Sequence, residues 1–166
     1  MAKIHFLVMD VDGTLTDGKV YMGPDGEAMK AFDIKDGYGI KLLLPEKGII
    51  PVIITARQSA MVEHRCKELD VVEIHQGVRA KLDCLREILH HYSTEQVEYT
   101  LANCAYIGDD LLDLQCMNPI REAGGIVGCP DDSVKAVREV SHFVSSKRGG
   151  DGAVRDFIEH LISVNF

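Results

Sequence analysis

The sequence predicts an α/β fold, in which a Rossmann-like, doubly wound and mainly parallel sheet carries a small β-hairpin insert. Short apolar runs of strand length alternate along the chain with longer segments whose apolar residues recur at helical spacing. Glycine, proline and aspartate separate most of these segments, as expected for the connections between them. With 166 residues, 46% of them hydrophobic, the chain is long enough for one domain with its own core. We therefore expect a single domain over residues 1–166.

The first half of the chain begins with an apolar run at 3–9, which turn residues follow and which we predict to be a buried strand. Two short runs around the turn Gly23–Gly26 predict a β-hairpin over about 19–32. The segment 37–48 has a helical pattern that Pro45 interrupts and Gly48 closes. The next elements are predicted as a strand at 51–55, a helix at 59–69, a strand at 71–77 and a helix at 80–92.

The second half continues the alternation. The sequence CAYIGDD predicts a strand at 104–110 that ends in carboxylates, and a short helix follows at 111–117. The last elements are predicted as a strand at 124–128, a helix at 133–140, a strand at 142–146 and a helix at 151–162. Strands joined through right-handed helical crossovers lie parallel, and such sheets bind ligands beyond the carboxyl ends of their strands.

The chain has a net charge of −8, from 26 acidic and 18 basic residues. A field of that sign repels polyanions, which argues against nucleic acid and anionic membranes as partners, and an anionic small molecule would need a local positive site. The five cysteines show no C-x-x-C spacing and lie mostly in apolar segments, as reduced thiols do. No segment resembles a signal peptide or a membrane span, so we expect a cytoplasmic protein.

Polar side chains collect where the predicted strands end. At or just after these ends lie Asp10, Asp12, Thr55, Lys81, Asp109 and Asp110. The carboxyl ends of parallel strands share one edge of the sheet, so these residues are expected to converge. Residues two apart on a strand face the same way, which directs Asp10 and Asp12 together. For this pair taken alone, an acidic turn is the alternative interpretation.

The converging carboxylates indicate a metal. Three carboxylates in one pocket cannot all stay ionised without a counter-charge. Asp10, Asp12 and Asp109 offer oxygen ligands, and neither histidine nor cysteine adjoins them in the sequence. Hard oxygen donors favour Mg²⁺ over Ca²⁺ or Zn²⁺. The sequence therefore predicts a Mg²⁺ site at the carboxyl edge of the sheet.

A cation with a lysine and a hydroxyl beside it suits a phosphate group. Lys81 and the cation would neutralise phosphoryl oxygens, and Thr55 would donate a hydrogen bond to them. One carboxylate can then attack phosphorus, while a second protonates the leaving oxygen and later activates water. Thr55 could instead cap the following helix, and Lys81 taken alone could be a solvated residue.

Four short motifs follow one another in the chain: DVDGTLTDG from Asp10, Thr55 in ITAR, Lys81 in RAKL, and GDDLLD at Gly108–Asp113. They resemble the motifs of phosphatases of the haloacid dehalogenase superfamily. Further segments, among them FDIKDGYG at Phe32–Gly39, HQG and GGDGAVR, extend the resemblance over nearly the whole chain. They resemble the 3-deoxy-D-manno-octulosonate 8-phosphate phosphatases and their nonulosonate 9-phosphate relatives. The resemblance implies a Mg²⁺-dependent phosphatase.

The resemblance also implies a role for each acidic motif residue. Asp10 would be the nucleophile that forms an aspartyl-phosphate. Asp12 would be the general acid and base, with its backbone carbonyl facing the metal. Asp10 and Asp109 would be metal ligands, and Asp110 would support them. Asp17 is interpreted as a turn residue at the entrance to the hairpin.

The substrate contacts are implied in the same way, with Thr55 and Lys81 holding the phosphate. The other residues implied in substrate binding are Asp33, Ile34, Lys35, Asp36, Gly37, Lys41, Arg57 and Arg65. Arginines suit bidentate pairing with the carboxylate of a sugar acid. Arg57 favours 3-deoxy-D-manno-octulosonate 8-phosphate, because nonulosonate-specific relatives tend to carry an acidic residue at that position.

Members of the resembled family lack a large cap domain, and the hairpin at 19–32 is the only insert after the first motif of this chain. They close their active sites by assembly instead. The resemblance therefore implies a homotetramer in which neighbouring subunits complete each site.

Other interpretations remain open on the sequence. One is a receiver-like module that accepts phosphate on an aspartate without turnover, and another is a phosphatase-like domain retained for assembly. The intact acidic pair and its lysine favour turnover over both. Asp113 is equally compatible with a carboxylate that orients the site and with a charge at a helix start. Arg57 and Arg65 are also compatible with a solvated helix face.

Overall fold

The computed structural model describes residues 2–165, so residues 1 and 166 of the predicted domain lie outside the described residues. The strands are β1 (Phe6–Met9), β2 (Tyr21–Gly23), β3 (Gly26–Met29), β4 (Ile50–Ile54), β5 (Glu73–His75), β6 (Cys104–Ile107), β7 (Ile126–Cys129) and β8 (Phe143–Val144). Within the described part of the chain, six of them form one parallel sheet in the order β5–β4–β1–β6–β7–β8. β1 lies in the interior of the sheet, where Phe6 pairs with Ile50 on one side and with Cys104 on the other.

Helices cover both faces of the sheet. They are α1 (Ile34–Tyr38), α2 (Leu44–Glu46), α3 (Ala60–Glu68), α4 (Lys81–Tyr92), α5 (Leu114–Glu122), α6 (Lys135–Val140) and α7 (Ala153–Asn165), with 3₁₀ turns at Leu101–Asn103 and Leu111–Asp113. Alternate residues of the strands point to opposite faces. Leu7 and Met9 pack in one core with α2, α3 and α7, whereas Phe6 and Val8 pack in a second core with α4, α5 and α6. The predicted doubly wound α/β fold is confirmed.

The predicted hairpin is also confirmed. β2 and β3 pair antiparallel as a small sheet of their own, separate from the main sheet. Its apolar side chains are turned outward, with Met22 69% and Met29 56% exposed. The insert therefore adds little to the core, and two of its charged residues, Glu27 and Lys30, face the site described below.

The helical path after the hairpin begins earlier than predicted, at Ile34, because Asp33 caps it. The Asp33 carboxylate accepts hydrogen bonds from the backbone N–H groups of Lys35 (2.6 Å) and Asp36 (3.3 Å). A π-helical segment at 39–43 joins α1 to α2. The interruption predicted at Pro45 is found as a change of hydrogen-bond register, from π to α between Leu43 and Leu44, while the helical backbone continues through Pro45. Pro45 lies in the first turn of α2, where a residue without an N–H is tolerated.

Two further features concern the length of the apolar helices and the state of the thiols. Within residues 2–165, no helix combines the length and the apolar character needed to cross a membrane. All five cysteines are free thiols, and four of them are buried. Burial raises the pKa of the Cys104 thiol to about 12, which keeps it in its unreactive protonated form.

Candidate active site

Chain segments that follow the carboxyl ends of four strands converge on an open cleft of about 170 Å³. It is lined by Asp10, Asp12, Thr55, Ala56, Arg57, Lys81, Asp110, Leu112 and Asp113. The structure therefore brings together most of the residues that the sequence places at strand ends. Asp109 lies beside the cleft, and one of its carboxylate oxygens is within 4.8 Å of oxygens of Asp10 and Asp113.

Lys81 is the cationic centre of this group. It is the first residue of α4, and its side chain is only 2% exposed. Its Nζ donates to Asp10 Oδ1 and to Asp113 Oδ1, at 2.8 Å each, and to Tyr106 Oη at 3.4 Å. Burial lowers the pKa of Lys81, but the attraction of the two carboxylates outweighs it, so the pKa lies above its ordinary value. The ammonium therefore stays charged beside Asp10.

Asp113 organises the site. Its Oδ1 accepts from Lys81 Nζ and from Tyr106 Oη, both at 2.8 Å, and its Oδ2 accepts from the backbone N–H groups of Asp109 (2.9 Å) and Asp110 (3.0 Å). A carboxylate with four donors on it has little capacity left for a cation. Of the two roles the sequence leaves open for Asp113, the structure therefore supports the one that orients the site.

The remaining carboxylates of the cluster, Asp10 and Asp109, have fewer side-chain donors than Asp113, so both keep oxygens that fit a hard cation. Burial, followed by the charge of Asp113, raises the pKa of Asp10 to about 6 even though Lys81 acts in the opposite direction. Burial, followed by the charges of Asp10 and Asp113, raises the pKa of Asp109 to about 8. Asp109 Oδ1 accepts a hydrogen bond from Thr14 Oγ1 at 3.0 Å. A cation bound by oxygen ligands would stabilise the ionised form of both carboxylates, and so offset the burial and the like charges that raise their pKa values.

Two glycines make the close approach of these carboxylates possible. A Cβ at Gly13 would lie 2.1 Å from Asp109 Oδ2, and Gly13 also has a φ of +91°, which only glycine adopts freely. A Cβ at Gly108 would lie 2.3 Å from the Asp113 carboxylate carbon. Any larger residue at either position would displace a carboxylate of the site.

The hairpin supplies two charged residues that the sequence analysis missed. Lys30, just after β3, forms an ion pair with Asp12, and its Nζ lies 3.0 Å from Glu27 Oε1. Glu27 Oε2 in turn lies 2.8 Å from the Arg57 guanidinium. No pattern distinguishes Lys30 and Glu27 in the sequence, because charged residues of a surface hairpin are usually solvated.

Asp110 and Thr55 occupy different kinds of position. The Asp110 side chain is exposed and accepts from the backbone N–H of Leu111 at 2.7 Å, so it caps a 3₁₀ turn and stands apart from the Asp10–Asp109–Asp113 cluster. Thr55 is buried at the end of β4. The alternative that Thr55 caps the next helix is wrong, because Ser59 caps α3 by accepting from the backbone N–H of Met61.

The eight residues implied in substrate binding fall into separate places. Arg57 lines the cleft. A second, open groove of about 590 Å³ is lined in part by Ile34, Lys35, Gly37, Lys41 and Arg65. Asp33 caps α1, and Asp36 is buried against α7, where its Oδ1 accepts from the backbone N–H of Arg155 at 2.8 Å.

Known proteins resemble this chain over almost its whole length. It is 38% identical to the 3-deoxy-D-manno-octulosonate 8-phosphate phosphatase KdsC of Salmonella typhi, over 96% of this chain and 80% of that protein. The chain belongs to the 3-deoxy-D-manno-octulosonate 8-phosphate phosphatase family. The resemblance identified from the sequence motifs is thus confirmed, although no protein-family model matches the sequence.

Solved structures of 3-deoxy-D-manno-octulosonate 8-phosphate phosphatases have the same fold. The structure from Moraxella catarrhalis is 41% identical with a TM-score of 0.85, over 96% of this chain and 86% of that one, and was solved in complex with magnesium, phosphate and KDO. The cobalt-bound enzyme from Haemophilus influenzae is 29% identical with a TM-score of 0.87, over 98% of this chain and 90% of that one.

Proposed function

We propose that this chain is a Mg²⁺-dependent phosphatase that hydrolyses a sugar-acid phosphate monoester, 3-deoxy-D-manno-octulosonate 8-phosphate, through an aspartyl-phosphate on Asp10. The observation that carries the proposal is the Asp10 carboxylate, held 2.8 Å from the buried Lys81 ammonium at the wall of an open cleft. The names of the relatives support the substrate, and the magnesium, phosphate and KDO bound in the Moraxella catarrhalis structure support the chemistry.

The metal would be held by Asp10 and Asp109, with the backbone carbonyl of Asp12 as a further oxygen and Asp110 close by. The raised pKa values of Asp10 and Asp109 support this ligand set, because both carboxylates gain from a positive neighbour. A bound Mg²⁺ would neutralise these ligands and polarise the phosphoryl oxygens.

The side chains of the cleft would divide the reaction into two steps. Asp10 attacks phosphorus, and the bond from phosphorus to the sugar oxygen breaks as Asp12 protonates that oxygen. Asp12 then takes a proton from water, which attacks the phosphoryl group and releases phosphate and free Asp10. Lys81 and Thr55 hold the phosphoryl oxygens, and Arg57 pairs with the carboxylate of the sugar acid.

An assay with p-nitrophenyl phosphate tests the reaction class. We expect turnover that requires Mg²⁺ and that Asp10→Asn lowers by at least about 10⁴-fold, because the nucleophile is lost. The matched control is Asp83→Asn, on the exposed face of α4, which should be fully active. Full activity of the Asp10→Asn protein would defeat the nucleophile assignment.

A second assay tests the substrate. 3-deoxy-D-manno-octulosonate 8-phosphate should be turned over with a higher kcat/KM than a nonulosonate 9-phosphate. Equal kcat/KM values for the two esters would contradict the inference that Arg57 selects the octulosonate ester, and would indicate a phosphatase of broader specificity.

We further propose that the chain forms one domain over 1–166, that it is cytoplasmic and that it assembles as a homotetramer whose neighbours help to close each site. The exposure of the apolar residues Met22 and Met29 on the hairpin supports an assembly. Sedimentation equilibrium of the purified chain should give four times the monomer mass of 18.4 kDa.

A further inference from the structure

The hairpin residue Lys30 lies in a position that its place in a surface insert does not explain. Its side chain is only 2% exposed, and its ammonium pairs with Asp12 and with Glu27, the latter at 3.0 Å. A buried ammonium is costly unless opposite charges compensate it. These two carboxylates therefore determine where the ammonium lies, and one of them belongs to the cleft.

Glu27 continues the series of charges. Its side chain is 12% exposed, its Oε1 faces Lys30, and its Oε2 lies 2.8 Å from the Arg57 guanidinium. Asp12, Lys30, Glu27 and Arg57 thus alternate in sign, so that every neighbouring pair attracts. The series joins the acid and base proposed for the reaction to the arginine that lines the same cleft.

We propose that Lys30 is a positioning residue for Asp12, and that Glu27 links it to Arg57. This inference rests on the proposed function, since it takes Asp12 as the group that moves protons. Lys30 holds one oxygen of the Asp12 carboxylate, Oδ1, which fixes the side-chain rotamer and leaves Oδ2 to face the leaving oxygen. The hairpin therefore contributes to the geometry of the reaction as well as to the surface.

A positioning role and a purely structural role of Lys30 predict different kinetics, and the two can be told apart by comparing esters with different leaving groups. Nitrophenolate leaves without much help from an acid, whereas a sugar alkoxide needs its proton at once. The second step, attack of water on the aspartyl-phosphate, needs Asp12 with either ester. Misplaced Asp12 would therefore slow both steps on the sugar ester but only the second step on the aryl ester.

The experiment compares Lys30→Met, Lys30→Arg, Glu27→Gln and the control Lys19→Met, an exposed lysine at the entrance to the hairpin. With the sugar-acid ester, Lys30→Met should lower kcat by about 100-fold, the lower end of the usual contribution of general acid–base catalysis. Its KM should change by less than about threefold, because substrate binding is retained. Lys30→Arg should recover part of kcat, Glu27→Gln should give a smaller loss with a higher KM, and Lys19→Met should match the original chain.

Rapid mixing with p-nitrophenyl phosphate supplies the deciding measurement. Lys30→Met should release about one nitrophenolate per active site in a fast burst before slow turnover, as expected when an aspartyl-phosphate accumulates. An equal loss on both esters without a burst, or an unchanged kcat, would overturn the positioning role. If Lys30→Met does not fold, the kcat of Lys30→Arg and Glu27→Gln decides in the same way. The proposed function fails separately, if the original chain has no Mg²⁺-dependent turnover.

Discussion

Asp109 and Asp36 are two carboxylates with raised pKa values that lie in different regions of the molecule. Burial is the main cause in both, and it raises the pKa of Asp36 to about 7 and that of Asp109 to about 8. Asp36 is enclosed at the junction of α1 and α7, where its Oδ1 accepts from the backbone N–H of Arg155. Asp109 lies beside an open cleft, with Asp10 and Asp113 within 4.8 Å and a lysine among them. A raised pKa alone therefore does not distinguish a functional carboxylate from a structural one. Asp109 is the candidate functional carboxylate of the two, because other charged groups converge beside it on an open cleft.

Among the variants that compare these two regions, Asp113→Ala, in the carboxylate cluster beside the cleft, should have the largest effect. Tyr106, Lys81 and two backbone N–H groups would each lose a partner. Because Lys81 would no longer be held beside Asp10, we expect kcat/KM for p-nitrophenyl phosphate to fall by about 10²–10³-fold.

A thermal melt of the Asp113→Ala protein measures the loss of stability that should accompany the loss of activity. The melting temperature should fall as well, since buried donors are left unpaired. A variant with normal kinetics would contradict the role of Asp113 in orienting the site.

Gly108→Ala tests the same site without removing a charge. The new Cβ would overlap the Asp113 carboxylate, so we expect a loss of about 1–3 kcal/mol in the free energy of unfolding together with reduced turnover. Urea titration and steady-state kinetics measure the two effects.

The matched control is Gly124→Ala, a glycine with φ +91° and open space around it. Its backbone strain should cost about 1 kcal/mol of stability and leave turnover intact. Equal losses of turnover in the two variants would argue against close approach at Gly108.

A further difference between the carboxylates beside the cleft and Asp36 is expected in how pH affects stability and Mg²⁺ binding. In the metal-free protein the raised pKa values of Asp10 and Asp109 favour their protonated forms, so their contribution to stability is greatest at low pH. This contribution to stability is lost as pH rises from about 4 towards 8.

Mg²⁺ needs both groups ionised, so protons compete with it below pH 8. The apparent affinity should rise with pH by up to about tenfold per unit for each proton displaced.

Calorimetric titrations with Mg²⁺ at pH 6, 7 and 8 measure this dependence. Proton release should accompany binding and should shrink towards pH 8. A binding constant that does not change over this range would contradict the proposed ligands.

The smallest effect is expected from Asp36→Asn, at the junction of α1 and α7. Asparagine keeps the acceptor for the Arg155 N–H and removes a charge that burial disfavours. The folded-state pKa of about 7 lies above the ordinary 3.8, so the native protein loses stability as pH rises between these values. The variant should therefore gain stability relative to the native chain from pH 5 to pH 8, as urea titrations would measure.

Turnover of the Asp36→Asn protein should stay close to that of the native chain, because Asp36 does not line the cleft that contains Asp10 and Lys81. A large rise in the KM for the sugar-acid ester would instead support the substrate-binding role that the family resemblance implies for Asp36.

Much of the fold was predictable from the sequence, because strand-length apolar runs and amphipathic segments alternate with clear turn signals. The carboxyl edge of a parallel sheet then predicted that Asp10, Lys81 and Asp109 would converge. The π-helical segment at 39–43 was not predictable, because its hydrogen-bond register depends on how the path packs between α1 and α2. The spacing of apolar residues in the sequence does not distinguish π-helical from α-helical turns.

The site itself was predictable only in part. Asp110 and Asp113 are both acidic residues of one short motif, and their different roles depend on which of them reaches Lys81 and the backbone N–H groups. Lys30 and Glu27 were missed because their burial follows from how the hairpin folds back over the cleft. A local pattern carries no such long-range information.

The position of β1 in the interior of the sheet has a consequence for the order of events during synthesis. β1 and Asp10, which follows it, are synthesised early. Lys81, which donates to Asp10, lies 71 residues further on, and Asp109, which accepts from Thr14, lies 95 residues beyond that threonine. The backbone carbonyl of Thr14 also accepts a hydrogen bond from the N–H of Gly150, which is synthesised much later. Contacts so distant along the chain form slowly. A nascent or truncated chain therefore contains Asp10, the proposed nucleophile, long before Lys81 and Asp109 can join it, and the site is complete only when most of the polypeptide has been made.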